Sequence, residues 1–489
     1  MDRNKVAELA SKMQTKDDLL SLLNVIKREE ASDMGHDVST FHPFTMKQLN
    51  YYCNPNHERH RYRQFRIKKK SGGFRQITTP YNRTFMMLLQ AMNEILKAIY
   101  YPSEYAMGFV QGRSVVTNAE VHKGQNYIFN IDLKDFFPSV EQGRVWKRLQ
   151  VKPYCIPAPI ANLIAGLCAM KMPREHILES AKHYLDKNFI YVLPQGAPTS
   201  PVLTNMVCDR LDYCLGGLAK RFGLRYTRYA DDITFSSMHY VYAKNGDFLT
   251  ELKRIIKEQG FTINDGKTRL EKKGAKKRQE VTGVVVSEKL NVTQKYMREV
   301  RTLLHIWKKY GYDDAYSRFL PKYKSDKGHV KKGNPDMINV IDGKLLYMKM
   351  VKGESDPVYI KLHERFQELV NTTFNRENTN SKGTTFIKTY KLLDFEKEKS
   401  YSPVTIFYRE KDKPYAIFES GGVKQNVSID SKLKKEDIEY KEKLAISLCR
   451  GADQKTFWLI HRQNKYNVPP QKDVDIDTLI TLLKSFLNT

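Results

Sequence analysis

Apolar residues recur at helical spacing along much of the chain, and this pattern predicts several packed helices. Residues 85–100 are largely apolar, which predicts a core helix, whereas residues 247–259 are amphipathic. The full set of helical stretches is 1–40, 85–100, 144–190, 247–259, a helix that begins at Thr293, and 336–371. Between the last two, the basic stretch 320–335 predicts a loop.

Strand spacing broken by short turn sequences predicts two β-hairpins. Residues 59–80 form the first, around the turn Ser71-Gly72-Gly73. The second joins residues 404–408 to residues 415–418 through the turn Lys411-Asp412-Lys413. Together with the helices, these hairpins predict an α+β fold.

The composition changes near residue 376 and predicts a separate C-terminal domain. Residues 378–383 are polar and contain glycine, as is typical of a linker. Beyond the second hairpin, residues 457–460 predict another strand, and Asp477 can cap a terminal helix that runs through Leu487. No nuclease, protease or phosphate-binding motif is recognisable in this domain.

Charge indicates the class of partner. The chain has 489 residues, of which 82 are Lys or Arg and 55 are Asp or Glu, so its formal net charge is +27. An excess of this size favours a polyanionic partner, with affinity that depends on phosphate contacts and on salt. The apolar content of 41% supports real hydrophobic cores and argues against a disordered chain.

Cysteine usage and hydropathy bear on location. The six cysteines form no CxxC pair, which suits a reducing cytosol better than a disulfide scaffold. No stretch approaches the roughly 18 apolar residues of a membrane span. The N-terminal residues are polar and lack a signal-peptide core. We therefore predict a cytoplasmic protein without membrane contact.

Three carboxylates carry the chemistry. Tyr229-Ala230-Asp231-Asp232, the YADD sequence, precedes an apolar run and predicts a tight turn between two strands with both acids at its tip. Upstream, Asp132 ends another apolar strand. Mg²⁺ in phosphoryl transfer is held by one or two protein carboxylates and by substrate phosphates, and paired ions clamp both reacting oxygens. Asp132, Asp231 and Asp232 therefore predict a nucleotidyl-transfer site.

The order of these elements resembles the palm of reverse transcriptases. That order is the strand ending at Asp132, the loop Gln195–Pro201 (QGAPTSP), the YADD turn and then Lys267. Two shorter elements resemble those of retron reverse transcriptases, namely NAxxH at Asn118–His122 and VTG at Val281–Gly283. Related antiphage reverse transcriptases that are not retrons share much of this pattern.

The resemblance covers roughly residues 15–370 and implies a right-hand polymerase of fingers, palm and thumb, followed by a small C-terminal α+β domain. The implied division is an N-terminal helical segment at 1–40, fingers and palm at 41–288, a mainly helical and basic thumb at 289–375, and a C-terminal domain of unknown role at 376–489.

The resemblance also implies site residues. The three aspartates would hold two Mg²⁺ ions, for which Mn²⁺ can substitute, and Phe137 would exclude a ribose 2′-OH. The nucleotide-binding set is Arg75, Lys68 or Lys69, Phe137, Gln195 and Lys267, with Arg113 as a contact to template or triphosphate. The RNA-binding set is Asn118, His122, Val281, Thr282 and Gly283. Because a histidine on a helix face is more often packed than catalytic, we expect a structural role or an RNA contact for His122.

The function implied is that of a bacterial enzyme which copies part of a structured noncoding RNA into single-stranded DNA. Such enzymes use deoxynucleoside triphosphates, prime from a 2′-OH within the RNA, and leave a branched RNA–DNA product that includes a hybrid duplex. They serve in antiphage defence, usually with an effector protein. The C-terminal domain would be that effector, dock it, or build a homo-oligomer.

Two alternatives stay open on the sequence. The first is a defence reverse transcriptase that is not a retron and uses another priming route. The second, from a different class, is a catalytically silent RNA-binding scaffold, against which the presence of all three aspartates argues.

Overall fold

The computed structural model describes residues 2–33, 42–57, 61–68, 72–173, 189–275, 277–327 and 334–376, and the backbone of seven strands between 384 and 468. The chain divides into two compact units, which are described separately. The first comprises Met1–Ser32, Asp37–Arg298 and Leu346–Asp356, and the second comprises Asp33–His36, Glu299–Leu345 and Pro357–Thr489.

Helices supply most of the first unit, and several begin at residues suited to capping. Thr45 and Ser114 each accept hydrogen bonds from the first turn of the following helix, which satisfies donors that the helix itself leaves unpaired. The helices are α1 Arg3–Ser11, α2 Lys16–Asp33, α3 Met46–Cys53, α4 Arg83–Ile99, α5 Val115–Val121, α6 Gln142–Gln150, α7 Ala158–Cys168, α8 Ser200–Arg221 and α9 Asp247–Glu258.

The strands of the first unit form hairpins and a central sheet. A β-hairpin is formed by β1 Tyr62–Lys68 and β2 Phe74–Pro80, which pair antiparallel. The other strands are β3 Tyr127–Asp132, β4 Met170–Pro173, β5 Phe189–Val192, β6 Arg225–Tyr229 and β7 Asp232–Ser237. Strands β4 and β5 pair antiparallel with each other.

The central sheet brings the chemistry-bearing strand ends together. With β8 Arg269–Lys272, it has the order β6-β7-β3-β8, and its neighbouring strands are antiparallel. The register pairs Asp132 with Asp232. Phe235 of β7 stacks on Tyr226 and meets Phe248 of α9 edge to face, so the aromatic core behind the sheet fixes this register.

A short hairpin follows the sheet. Strands β9 Glu280–Val281 and β10 Val284–Val285 enclose a turn of Thr282 and Gly283. Both turn residues have positive φ, +47° and +82°, as two-residue hairpins often require. Thr282 holds this conformation without the freedom of glycine.

The remaining helices are α10 Gln294–Tyr310, α11 Tyr312–Lys327, α12 Met337–Lys352 and α13 Pro357–Arg376. Within the second unit, the indole of Trp307 donates a hydrogen bond of 2.7 Å to the hydroxyl of Thr373. That unit also contains a four-stranded antiparallel sheet of β11 Thr384–Asp394, β12 Lys399–Arg409, β13 Asp412–Ser420 and β14 Val423–Ser428. A three-stranded sheet follows, of β15 Ser447–Arg450, β16 Phe457–His461 and β17 Asn464–Val468.

The structure confirms the predicted α+β class and most predicted elements. Both hairpins form, and the strand expected at 457–460 is present as β16. The helices expected at 85–100, at 247–259 and from Thr293 are α4, α9 and α10. The linker at 378–383 and the terminal helix capped by Asp477 lie outside the described residues.

Two predictions are wrong in part. Residues 144–190 are not helical throughout, because β4 and β5 form a hairpin there with apolar residues such as Ile190 and Val192 buried at alternate positions. The loop expected at 320–335 is helix as far as Lys327. Ala315 and Phe319, four residues apart, are both buried, and their packing keeps α11 helical through Pro321.

No helix in the part of the chain that the structure describes has the length and hydropathy needed to cross a membrane.

Candidate active site

The YADD turn joins β6 to β7 and projects two acids at the edge of the sheet. Tyr229 pairs with Asp232, so Ala230 and Asp231 form the turn. Ala230 has φ +57°, a left-handed conformation that costs a non-glycine residue of order 1–3 kcal/mol. Gly108 packs directly beneath it, since a Cβ there would lie 2.6 Å from the Ala230 nitrogen. The turn is therefore held by its surroundings as well as by its own sequence.

Asp132 is held from several directions. Lys267 Nζ donates to its Oδ1 at 2.6 Å, and Asn264 Nδ2 donates to its Oδ2 at 2.9 Å. The backbone N–H of Asn264 donates to the Asp132 carbonyl at 2.8 Å, and the N–H of Leu133 donates to the Asp231 carbonyl at 3.0 Å. These bonds tie the end of β3 to the YADD turn on one side and to the Asn264 loop on the other.

The pKa values of Asp231 and Asp232 are both raised. Desolvation in the cleft, followed by repulsion from Asp231 and Asp132, raises the pKa of Asp232 from 3.8 to about 6. Desolvation and the charge of Asp132 also raise the pKa of Asp231, against the opposing charges of Lys267 and Arg75. A cation bound between these carboxylates would relieve that repulsion.

The donor set fits Mg²⁺. Among the described residues, no three His, Cys, Asp or Glu side chains form a closed metal cluster. Mg²⁺ does not require such a cluster, since it usually takes one or two carboxylates and completes its shell with water and substrate phosphates. Asp132 and Asp232 line an open cavity of about 300 Å³, which leaves room for those ligands.

The hairpin of β1 and β2, which lies in the predicted fingers (the fingers hairpin), is hydrogen-bonded to the QGAPTSP loop. The Gln195 carbonyl accepts a 2.8 Å hydrogen bond from the Thr78 N–H of β2. Gly196, with φ +129°, lies so close to β2 that a Cβ would approach the Thr78 carbonyl to 2.8 Å. Arg75 is exposed on the same strand, and its charge reaches Asp231. Nothing is described of the Lys68 side chain, and Lys69 lies outside the described residues.

Phe137 borders a second cavity. Its ring is half-buried and lines a space of about 370 Å³. The other lining residues are Met86, Gly196, Ala197, Pro198, Ser200 and Pro201. This cavity shares no lining residue with the one beside Asp132. A bulky ring facing the QGAPTSP loop is compatible with the predicted steric gate.

The two short motifs meet next to the aspartates. Asn118 Nδ2 donates to Thr282 Oγ1 at 3.2 Å, which joins NAxxH to VTG. Thr282 and Gly283 line the cavity that Asp132 and Asp232 line. A Cβ on Gly283 would meet nothing within 4 Å, so the turn faces open space. Val281 is buried and supports the turn from behind.

His122 has a packed role. Its side chain is fully buried, with Nδ1 2.7 Å from Ser236 Oγ and Nε2 2.7 Å from Thr227 Oγ1. Burial lowers the pKa of the imidazole to about 3, so the ring is neutral and bridges β6 and β7. This arrangement fits the structural role that we predicted as one alternative and leaves no exposed surface for a direct RNA contact.

Arg113 is partly exposed, and its Nη1 donates at 2.6 Å to the carbonyls of both Ser103 and Ala106. These bonds hold the loop that carries Arg113, and its contact with template or triphosphate stays a prediction.

Sequence reasoning missed two residues of the site. Asn264 holds Asp132 through side chain and backbone, and Arg269 lines the same cavity while its Nε lies 3.1 Å from Glu271 Oε1. The signal for Asn264 was available, since Asn264-Asp265-Gly266 is a turn sequence immediately before Lys267. Arg269 stands in a basic run that offers no means of choosing among its members.

Comparison with known proteins agrees with this geometry. Residues 67–296 match the family described as "Reverse transcriptase (RNA-dependent DNA polymerase)". The chain is 34% identical to the Retron Mx65 reverse transcriptase of Myxococcus xanthus, over 63% of this chain and 65% of that protein. It is also 34% identical to the Retron Mx162 reverse transcriptase of the same organism, over 51% of this chain and 53% of that protein.

A third relative decides the family. The chain is 35% identical to the Retron Ec86 reverse transcriptase of Escherichia coli, over 50% of this chain and 69% of that protein. The chain belongs to the retron reverse transcriptase family. It spans less than two thirds of the length of the two Myxococcus relatives. Among solved structures, a telomerase from Candida albicans in complex with a fragment of telomeric RNA overlaps with 67% of this chain and 66% of its own chain. The TM-score is 0.35 and the sequence identity is 11%, so this likeness carries no argument.

The raised pKa values predict how the stability of this protein depends on pH and Mg²⁺. A carboxyl with a raised folded-state pKa stabilises the fold below its unfolded pKa, and that contribution is lost as the pH rises through the folded pKa. For Asp232 this window runs from 3.8 to about 6. We therefore expect Asp232→Asn to raise the Tm in EDTA at neutral pH, by an amount that shrinks toward pH 4.

Thermal unfolding followed by circular dichroism checks this expectation. Mg²⁺ should raise the Tm of the wild-type protein more than that of the Asp232→Asn variant. If the Tm of Asp232→Asn in EDTA at neutral pH is lower than that of wild type, charge repulsion between these carboxylates does not destabilise the fold.

Proposed function

We propose that the chain is an RNA-directed DNA polymerase whose transfer centre is Asp132, Asp231 and Asp232. The observation that carries the proposal is the register of the central sheet, which pairs Asp132 with Asp232 and leaves Asp231 in the adjoining turn. Membership of the retron reverse transcriptase family supports this assignment. The three aspartates would hold Mg²⁺, which when bound lowers the pKa of an attacking hydroxyl and neutralises phosphate charge.

In the proposed reaction, a primer hydroxyl attacks the α-phosphate of a deoxynucleoside triphosphate. A new phosphodiester bond forms, the bond to the β-phosphate breaks, and pyrophosphate leaves. The ammonium of Lys267, 2.6 Å from Asp132, is exposed enough to turn toward the leaving pyrophosphate. Arg75 would bind the triphosphate from the fingers hairpin, and positive charge is most effective where negative charge develops.

We further propose that the enzyme is of the retron type. Thr282 and Gly283 lie beside the aspartates, and the buried Asn118 holds their turn, which supports an RNA contact by the turn at the point where synthesis starts. There the chain would prime from a 2′-OH within a cognate noncoding RNA and leave a branched RNA–DNA product. The net charge of +27 supports binding of such an RNA and of the hybrid duplex.

The biological setting is also part of the proposal. We infer a role in bacterial antiphage defence, in the cytoplasm, with an effector protein as partner. We also propose that the chain consists of an N-terminal helical segment at 1–40, fingers and palm at 41–288, a thumb at 289–375 and a C-terminal domain at 376–489. Residues 376–489 would then act as effector, dock an effector or mediate oligomerisation.

The experiment that tests the proposal has two parts. A Mg²⁺-dependent extension assay on a primed RNA separates an enzyme from a silent scaffold, because a scaffold adds no nucleotides. Sequencing of the nucleic acid that copurifies from the native host, with and without ribonuclease, then tests the priming route. A discrete RNA joined to one short DNA by a bond that survives denaturation supports the retron type, whereas long or unbranched DNA favours another defence reverse transcriptase.

A substitution tests the contribution of the VTG turn. Thr282→Val keeps the branched side chain and removes the hydroxyl that faces Asn118. We expect initiation on the cognate RNA to fall by about tenfold, the magnitude of one lost hydrogen bond. Extension of a pre-annealed DNA primer should fall by less. The ratio of the two rates is the measurement, and an equal loss in both would count against a role in initiation.

A further inference from the structure

A fully buried polar cluster lies behind the YADD turn. It consists of Arg228 and Tyr226 on β6 and of Asn205 and Asp212 on α8. Tyr226 is 3% exposed and the other three side chains are 0% exposed. None of them can touch substrate, and the proposed mechanism uses none of them.

The guanidinium of Arg228 is the centre of this cluster. Its Nε and Nη2 donate to the two carboxylate oxygens of Asp212, each at 2.8 Å. Its Nη1 donates to Asn205 Oδ1 at 2.9 Å and to the Ala230 carbonyl at 3.3 Å. The Tyr226 hydroxyl donates to Asp212 at 2.8 Å. The guanidinium of Arg228 thus connects Asp212 and Asn205 of helix α8 to the backbone of the YADD turn.

Asn205 extends the cluster to the other side of the turn. Its Nδ2 donates at 2.9 Å to the carbonyl of Gly108. Gly108 is the residue whose backbone lies directly against Ala230. The backbone of Arg228 is also bonded to this segment, through Tyr105 and Met107 at 2.8 and 2.7 Å. The turn is therefore clamped between the Arg228 guanidinium and the Gly108 loop.

A contribution to the stability of the fold does not by itself explain why this polar cluster is buried. A buried ion pair loses its hydration, and well-packed apolar residues often stabilise a core as well or better. Buried ion pairs of this kind can instead select one conformation of the surrounding structure. Burial disfavours the charge of Arg228, yet Asp212 raises the pKa of the guanidinium well above its usual value, so the guanidinium stays charged. Ala230, in its left-handed conformation, is the residue that needs such support.

We propose that Arg228 and Asn205 are positioning residues of the nucleotidyl-transfer reaction. Through the Ala230 carbonyl and Gly108 they hold the YADD turn so that Asp231 and Asp232 stay beside Asp132. This inference rests on the function proposed above, because it concerns the same centre. Neither residue touches the reacting atoms.

Asn205→Leu is the deciding variant, because it removes the bonds to Gly108 and Arg228 and leaves the Arg228–Asp212 pair in place. Displacement of reacting groups by about 1 Å can cost on the order of 100-fold in rate. We expect kcat for primer extension to fall by about that factor and half-saturation to require more Mg²⁺, with a KM for deoxynucleotide close to wild type. If Asn205→Leu does not fold, Asn205→Ser removes the same side-chain geometry with less bulk.

A matched control is Arg148 of α6, which contacts the same helix α8. Arg148 pairs with Asp209, three residues before Asp212, and donates to the Met206 and Lys152 carbonyls at 2.8 and 2.7 Å, away from the YADD turn. Arg148→Met should lower the Tm and leave kcat and the Mg²⁺ dependence as in wild type. The double variant Arg228→Met, Asp212→Leu, which removes both buried charges together, should fold and show the same kinetic defect as Asn205→Leu.

The outcomes separate the inference from the function on which it rests. Wild-type protein that adds no nucleotides would overturn the proposed function itself. Active wild type, with Asn205→Leu that loses Tm but keeps its kcat and Mg²⁺ dependence, would overturn the positioning role. An equal kinetic defect in Arg148→Met would overturn it as well, since the effect would then follow from any loss of packing on α8.

Discussion

Replacing Asp231 and Asp232 together by asparagine is expected to abolish DNA synthesis, with a loss of at least about 10³-fold in rate. The amides keep the size of the side chains, and the turn is held by Ala230, Gly108 and Arg228 rather than by these acids. What disappears is the negative charge that would bind Mg²⁺ beside Asp132. RNA binding should persist, because every basic residue is kept.

The measurement pairs a primer-extension assay with an RNA-binding assay on the same preparations. Asp313 and Asp314 provide a matched control, since they are adjacent, exposed acids in the first turn of α11. Asp313→Asn with Asp314→Asn makes the same change in net charge and should leave synthesis near wild type. Synthesis by the Asp231, Asp232 variant at a comparable rate would remove the assignment of the catalytic centre.

Replacing Phe137 by alanine is expected to weaken discrimination against ribonucleotides. The half-buried ring lines a cavity together with Gly196 and Pro198, and its loss would leave space for a 2′-OH. A contact of one small group in such a pocket is worth about 10- to 200-fold in specificity. We therefore expect the kcat/KM ratio of ribonucleotide to deoxynucleotide to rise within that range.

Phe109 supplies the control for this second prediction. Its ring centroid lies 6.3 Å from that of Phe137, it is half exposed, and it does not line the cavity. Phe109→Ala should lose a neighbouring aromatic contact and keep sugar selectivity. If both variants shift selectivity alike, packing around the loop is responsible, and if neither does, the steric gate lies elsewhere.

Sequence periodicity was sufficient where the determining interactions are local. The YADD turn, the fingers hairpin and α9 each follow from spacing and turn residues within a short window, and each forms as expected. The prediction of helix for residues 144–190 was wrong in part, because Met170–Pro173 pairs with Phe189–Val192 and the two strands lie too far apart in the chain for a local pattern to relate them. Strand pairing over such a distance depends on partners that periodicity does not identify.

His122 illustrates the same limit within the site. Its spacing of four residues from Asn118 predicts that both lie on one helix face, and the sequence leaves a packed role and an RNA contact open. The distinction depends on Ser236 and Thr227, which come from two strands far along the chain. The carbonyls that bind Arg113 were likewise not predictable, because they are brought to it by the fold of its loop.

The sequence by itself predicted the class of chemistry, since three acids at strand ends with a following lysine favour phosphoryl transfer with a hard cation. It also determined the secondary structure that carries them. Only the tertiary structure decided which groups hold the acids in place: Asn264 and Lys267 on Asp132, and Arg228 with Asn205 behind the turn. These contacts join segments far apart in the chain, and a buried polar group finds its partner only when the core closes around it.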